Sequence, residues 1–274
     1  MLVTKADGNV EAFKASKLRS SLQRAGANKD EVDEIVREIE KTIEEGMTTG
    51  KIYRRAFKML RDSTRPVAAR YSLRRALFGL GPTGFPFEDF LTRLFEIEGY
   101  TVRTRQTIKG KCATHEVDLV AFTTEESFVT EAKFHMRPGV KSDLQVVLYS
   151  YARFLDIQQQ PSCSADKCGI DSLYVVTNTK FTHTAIKYAE CTGLKLLSWN
   201  YPKGGTLQDR IERLRLYPVS VLSSLSNKDK QNLLTSGTIL CRDLVKNPRI
   251  LQQQGISEKK MQAVITEARQ LCAG

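Results

Sequence analysis

The stretch "LFGLGPTGFPFEDF" constrains this chain more than any other. Gly79, Gly81, Pro82, Gly84 and Pro86 fall within eight residues. No helix continues through that density of glycine and proline, so the chain must change course there. Upstream of it the apolar spacing is helical after an opening hairpin. Downstream it alternates between strand and helix. A second break lies near "LYPVSVLSSLSNKD", where Pro218 and a serine-rich stretch separate two patterned regions. These breaks divide the chain into segments 1–84, 85–217 and 218–274. A length of 274 residues admits one large domain or two to three small ones. There is no internal repeat and no low-complexity tract.

Charge separates the same segments. The first holds 17 Lys/Arg against 11 Asp/Glu, the middle 17 against 16, and the last 8 against 4. Basic ends make an anionic partner, nucleic acid or nucleotide, a reasonable expectation. Lys51–Arg75 is the most one-sided stretch, with nine Lys/Arg and Asp62 as its one acid. A solvated face tolerates such a run; a face that meets an anion explains it better. No apolar run nears the roughly 20 residues that span a bilayer. The opening "MLVTKADGNVEAF" lacks a signal-peptide core, so a cytoplasmic location without membrane contact is expected. The six cysteines are scattered, and Cys163 and Cys168 in "CSADKC" have no second pair at zinc-site spacing. Free thiols are expected.

Segment 1–84 opens with two short strands around Asp7-Gly8, a hairpin signal. Helical spacing follows in "ASKLRSSLQRAG", in "KDEVDEIVREIEKTIEEG", in "GKIYRRAFKMLRDS" and in "PVAARYSLRRALFGL", with Gly26 and Gly46 as stops and Pro66 as a start. Four pieces, "VTKADGNVEAF", Lys17-Leu18, "EEGMTTGKIY" and "AARYSLRRA", resemble the ATP-cone in order and spacing. That small nucleotide-binding regulatory domain is known from ribonucleotide reductases and their repressor. The resemblance implies ATP or dATP as an effector, with contacts on Val3, Lys5, Glu11, Lys17 and Thr49. Gly8 lets the turn backbone approach phosphates. Ala6 departs from the family, which often has a basic residue there. The alternative is a helical domain that kept the fold without the ligand.

Segment 85–217 contains "EVDLVAFTTEESFVTEAKF", two apolar strands joined by a polar turn. Asp118, Glu131 and Lys133 lie in or at the edge of those strands. In a strand, residues two apart share a face. Glu131 and Lys133 therefore point the same way, and Asp118 can lie beside them on the neighbouring strand. Two carboxylates and a lysine so placed suit a metal-assisted phosphodiester site. Hard Mg²⁺, or Mn²⁺, takes carboxylate oxygens, and an ammonium can orient water and offset phosphoryl charge. A plain Glu131–Lys133 salt bridge is the alternative, and it leaves Asp118 unpaired. An amphipathic helix, "FEDFLTRLFEIEGYTV", precedes these strands with Glu88 near its start. A helix beginning near Gln145 follows, then a strand, helix and strand in "SLYVVTNTKFTHTAIKYAECTGLKLLSWN".

"FED", "EVDLVA", "EAK", Gln145 and "VVTNTKFTHTAIKYAECTGLKLL" together resemble the Mrr-type branch of the restriction-endonuclease-like, PD-(D/E)XK, superfamily. The resemblance implies an α/β core with a central mixed sheet. It makes Asp118 and Glu131 metal ligands, Lys133 the water-positioning cation, and Glu88 and Gln145 accessory. His115-Glu116-Val117 departs from the family's glycine-rich approach to the aspartate and could add His115 or Glu116 to the site. His183, near a helix start, reads as solvated.

Segment 218–274 alternates helices with glycine-containing turns and resembles a helix–hairpin–helix module. That resemblance implies DNA phosphate contacts through turn backbone and Lys259 and Lys260. A helical cap or a protein-docking module is an equal alternative. The expected fold class is therefore multidomain α/β: a small, mostly helical ATP-cone, a restriction-endonuclease-like core and a short helical module. The expected function is a metal-dependent endodeoxyribonuclease acting on DNA, with an adenine nucleotide as effector. The chain has no phosphate loop of the G-x-x-x-x-G-K-[ST] type, so the nucleotide is not expected to be fuel. A nucleotide-gated DNA-binding regulator and a nuclease subunit of a defence or repair complex are the competing readings. A homo-oligomer is compatible with any of them.

Overall fold

The computed structural model describes residues 1–160 and 169–273. It divides into two compact units, one made of 1–79 with 217–274 and the other of 80–216. The first and last expected segments thus fall in one unit. "CSADKC" lies outside the described residues. Cys112, Cys191, Cys241 and Cys272 are free thiols. No described helix is long and apolar enough to cross a membrane.

The first unit begins with the hairpin β1 (Leu2–Thr4) and β2 (Val10–Ala12), paired antiparallel through Val3 and Glu11. Gly8 closes its turn at φ +82°, a region that costs an L side chain about 1 kcal/mol or more. Four helices follow: α1 (Ala15–Arg24), α2 (Lys29–Thr42), α3 (Thr49–Ser63) and α4 (Arg65–Phe78). Asn28 and Glu31 form a capping box that starts α2. Val32, Ile35, Val36 and Ile39 recur at helical spacing on α2 and are buried with Leu22 of α1 and Ala56 and Leu60 of α3.

The second unit is built on one sheet. Its elements are α5 (Phe85–Ile97), β3 (Thr101–Lys109), β4 (Thr114–Phe122), β5 (Ser127–Lys133), β6 (Lys141–Ser142), α6 (Leu144–Gln158), β7 (Ser172–Thr177), β8 (Lys180–Phe181), α7 (His183–Thr192), β9 (Lys195–Leu197) and α8 (Leu207–Leu214). The five-stranded order is β3-β4-β5-β7-β9. The first three strands pair antiparallel, and β5, β7 and β9 pair parallel. The sheet is therefore mixed, as expected. Phe95 of α5 packs edge-on against Phe128 of β5 on one face. On the other, Val129, Val175 and Leu196 are buried with Val147 and Phe154 of α6 and Ala185 of α7.

Chain 217–273 returns to the first unit through a 3-10 turn (Val219–Val221), then α9 (Asn227–Thr235), α10 (Cys241–Lys246), α11 (Arg249–Gln253) and α12 (Glu258–Cys272). Helix α4 contacts both the 3-10 turn and α12. The Ser220 hydroxyl donates to the Ala76 carbonyl at 2.7 Å, and Gln231 donates to that of Gly79 at 3.3 Å. Glu267, 2 % exposed, accepts from the backbone N–H groups of Ser223 and Ser224 at 2.7 and 2.9 Å. A buried carboxylate with that many donors fixes the returning chain.

Candidate active site

Strands β4 and β5 pair from Phe122 opposite Ser127 as far as Leu119 opposite Thr130. On its other side β5 pairs with β7 from Phe128 opposite Ser172 to Lys133 opposite Thr177, so its end runs on past the β4 pairing. The Ala132 N–H is taken by the Asp118 carboxylate, at 2.6 Å. Asp118 is thereby tied to the stretch that carries Glu131 and Lys133.

Three carboxylates crowd this end of the sheet. Burial pushes Asp118 and Glu131 above their ordinary range, and Asp118 pushes Glu131 further. Glu88, 8 % exposed in the first turn of α5, is raised by burial and then by Asp118. Two arginines partly offset them. Arg153 of α6 binds Glu131 at 2.7 Å, both side chains less than a quarter exposed. Arg105 of β3 binds Glu88 at 3.0 Å and Asp89 at 2.7 Å.

Arg105 reaches its partners through a distorted strand. Thr104 pairs with Leu119 and Gln106 with Val117, while Arg105, between them, takes φ +51°. A left-handed non-glycine residue costs about 1–2 kcal/mol. The two carboxylates, the Phe85 carbonyl at 3.4 Å and the Phe85 ring 4.9 Å away hold the guanidinium in place. Backbone strain offset by contacts of this kind belongs to sites more often than to scaffolds.

Lys133 is exposed at the end of β5 and forms no ion pair among the described residues, so the Glu131–Lys133 salt bridge does not form. Gln145 opens α6, exposed, without a hydrogen bond to Asp118, Glu131 or Lys133. Glu116 is exposed on β4. His115 goes elsewhere: its Nε2 lies 2.7 Å from Asp156 Oδ2. The same carboxylate accepts from the Cys112 and Ala113 N–H groups at 2.8 and 3.0 Å, and these contacts hold it down to about 2. Gly110 makes room for it, since a Cβ there would stand 2.2 Å from Asp156 Oδ2. His115 therefore braces the β3–β4 turn. His183 is exposed at the start of α7.

The donor set suits a hard divalent ion. Asp118 uses Oδ2 on Ala132 and Glu131 uses Oε2 on Arg153, which leaves each a second oxygen. Mg²⁺ is commonly held by one or two carboxylates and keeps several waters. The crowding of partly buried acids is the electrostatic condition that a cation relieves. Among the described residues no group of three or more His, Cys, Asp or Glu stands in a metal-holding arrangement. Protein ligation here would come from two carboxylates.

The first unit presents a different cluster. Glu11 binds Lys5 at 2.7 Å and Lys17 at 3.1 Å, and both lysines hold its carboxyl below the usual range. Val3, 2 % exposed, stands opposite Glu11, and Gly8 lies at the turn. Thr49 begins α3, next to the cap residue Thr48, and the Thr4 N–H reaches the Met47 carbonyl at 3.1 Å. The hairpin thus gathers Val3, Lys5, Glu11 and Lys17. In the C-terminal helices Lys260 is engaged in an ion pair with Asp229, while Lys259 is exposed.

Arginines 105 and 153 are the site residues that sequence reasoning missed. Arg153 left a signal: it lies beside Phe154 among the inward positions Val147, Ser150, Phe154 and Ile157 of α6. A cation there needs a carboxylate partner. Arg105 left none, because its side chain is aimed by a local break in the strand.

Comparison with known proteins adds the family. The ATP cone domain model matches residues 1–77, and that of the AF1548-like C-terminal region matches 217–272. An uncharacterized protein of Archaeoglobus fulgidus is 35 % identical over 182 residues, 66 % of this chain and 99 % of that protein. The crystal structure of the protein of unknown function AF1548 aligns at TM-score 0.57 and 33 % identity, over 70 % of this chain and 100 % of that one. MspJI restriction endonuclease in complex with a 27-mer oligonucleotide aligns at TM-score 0.35 and 15 % identity, over 73 % of this chain and 39 % of that one; so slight a likeness carries no argument. On the strength of AF1548, 33 % identical and matched over its whole length, the chain belongs to the AF1548-like family, with an ATP cone at its N-terminus.

Proposed function

We propose that this chain is a metal-dependent endonuclease that hydrolyses DNA phosphodiester bonds and takes ATP or dATP at its cone as an effector. One observation carries the reading: Asp118 and Glu131 are half-buried acids whose carboxyls are pushed up, beside an exposed lysine that forms no ion pair among the described residues. Asp118 and Glu131 would hold Mg²⁺ or Mn²⁺. Such an ion supplies Lewis acidity to a phosphate and acidity to a bound water.

The chain's own residues do the rest. The Ala132 N–H fixes the Asp118 carboxylate, and Arg153 fixes that of Glu131. Lys133 offers its ammonium to the attacking water and to charge growing on the phosphoryl oxygens. Glu88 borders the site as an accessory acid whose charge Arg105 offsets, and Gln145 is an accessory contact to the substrate. At the cone, Lys5 and Lys17 would meet the phosphates of the nucleotide, with Gly8 allowing close backbone approach. Val3, Glu11 and Thr49 would line the nucleoside.

A binding-only regulator draws on a different observation: Glu131 is already paired with Arg153. One experiment separates the two. Purified protein is incubated with supercoiled, linear and single-stranded DNA, with Mg²⁺ or Mn²⁺, and with or without ATP and dATP. Metal-dependent cleavage that the nucleotide changes supports the enzyme. DNA retention without cleavage under every condition supports the regulator.

A further inference from the structure

A cleft of about 660 Å³ opens in the first unit between α3 and α4 on one side and residues 220–231 on the other. Arg54, Arg61, Arg75 and Lys230 line it, and among the described residues no Asp or Glu does, although the buried Glu267, bound to Ser223, acts on Lys230 from behind. Arg61 has a neighbouring acid, Asp62, at 3.6 Å. Arg54, Arg75 and Lys230 have no ion-pair partner among the described residues. Lys230 is half-buried, and that burial pushes its ammonium below the usual range. Four cations in one concavity repel each other unless an anion joins them.

The cleft is also built, not merely charged. Tyr53 stacks on Tyr71 at 5.0 Å with an interplanar angle of 5°. The Arg75 guanidinium lies 4.2 Å from the Tyr53 ring centre. A stacked guanidinium has already lost its freedom and presents its N–H fork at little further cost. Phe57, stacked on Tyr53 at 6.1 Å, adds an apolar wall. The volume is that of a small-molecule site. A shallow track for a duplex backbone would need neither facing wall.

We infer that this cleft binds a nucleoside polyphosphate, its phosphates on Arg54, Arg61, Arg75 and Lys230 and its base against Phe57. The site is separate from the hairpin set, since none of Val3, Lys5, Gly8, Glu11, Lys17 and Thr49 lines it. It also explains the one-sided charge of Lys51–Arg75, which the hairpin alone does not use. A ligand here touches both the cone helices and the returning C-terminal chain.

Calorimetric titration of the full chain tests this with ATP, tripolyphosphate, adenosine and a short single-stranded oligonucleotide as probes. The variants are Lys230→Met, Arg61→Gln and Lys17→Ala, with circular dichroism melts to verify folding. Exposed Arg61 keeps the test usable if Lys230→Met does not fold. Expected are two ATP equivalents, one weakened about tenfold or more by Lys230→Met or Arg61→Gln and the other removed by Lys17→Ala. A single equivalent lost on Lys230→Met and indifferent to Lys17→Ala supports the cleft and removes the hairpin site. A single equivalent lost on Lys17→Ala and indifferent to both cleft variants overturns the inference. So does a cleft whose variants weaken the oligonucleotide alone.

Discussion

Glu11 in the cone and Glu131 in the sheet are the same residue in opposite settings. Glu11 stands at the surface between Lys5 and Lys17, and its carboxyl is held down. Glu131, half-buried at the end of the sheet, stands beside Asp118, and burial and that neighbour push its carboxyl up. One region therefore has cations left over for an anion, the other has acids left over for a cation. The difference teaches that neighbours, not residue type, set the task of a carboxylate. It also gives the proposed function its division of labour: nucleotide in one unit, metal and phosphodiester in the other.

The largest effect should come from breaking the acid side. Asp118→Ala or Lys133→Ala should lower DNA cleavage by at least about 100-fold, the scale of losing one transition-state contact. Circular dichroism should show both variants folded. Arg153→Gln comes next. It strands Glu131 as an unpaired half-buried acid and should cost about 1–3 kcal/mol of stability, read from urea unfolding. ATP at about 100 times its Kd should stabilise the unit it binds by about 2.7 kcal/mol. Lys17→Ala should remove the hairpin's share of that melting shift without touching metal-dependent cleavage.

The smallest effect sharpens a third acid, Asp156. Its carboxyl titrates near 2 in the folded chain and near 3.9 unfolded. A depressed folded value means that its stabilisation is present above about pH 4 and fades as pH falls toward 2. Asp156→Asn should flatten that part of the acid unfolding curve and lower the melting temperature at neutral pH.

Legibility in the sequence followed range. Asp118, Glu131 and Lys133 could be placed on their strands because strand alternation is local, and the mixed sheet around them was expected from the resemblance to the restriction-endonuclease-like superfamily. The helices of the cone were readable for the same reason: α1 ends just before Gly26, as expected, whereas α2 ends at Thr42, short of the expected stop at Gly46. What could not be read depends on distant contacts. Segment 218–274 looks like a module of its own, yet Ser220 bonds to Ala76 across 144 residues. His115 could be read as an addition to the site or as a hydrogen-bonding residue, and only Asp156, 41 positions on, decides for the second. Arg105 bends its own strand, and no residue type marks that break.

The central claim is that the acid excess of the sheet is there for a cation and the basic excess of the cone for an anion. Plasmid cleavage rates of wild type, Asp118→Ala and Lys17→Ala, each with Mg²⁺ and with or without ATP, test it most directly. The account predicts no cleavage by Asp118→Ala with or without ATP. It predicts that Lys17→Ala cleaves at the wild-type rate measured without nucleotide and has lost the response of its hairpin to ATP. Wild-type cleavage by Asp118→Ala, or loss of all cleavage in a folded Lys17→Ala, would contradict it.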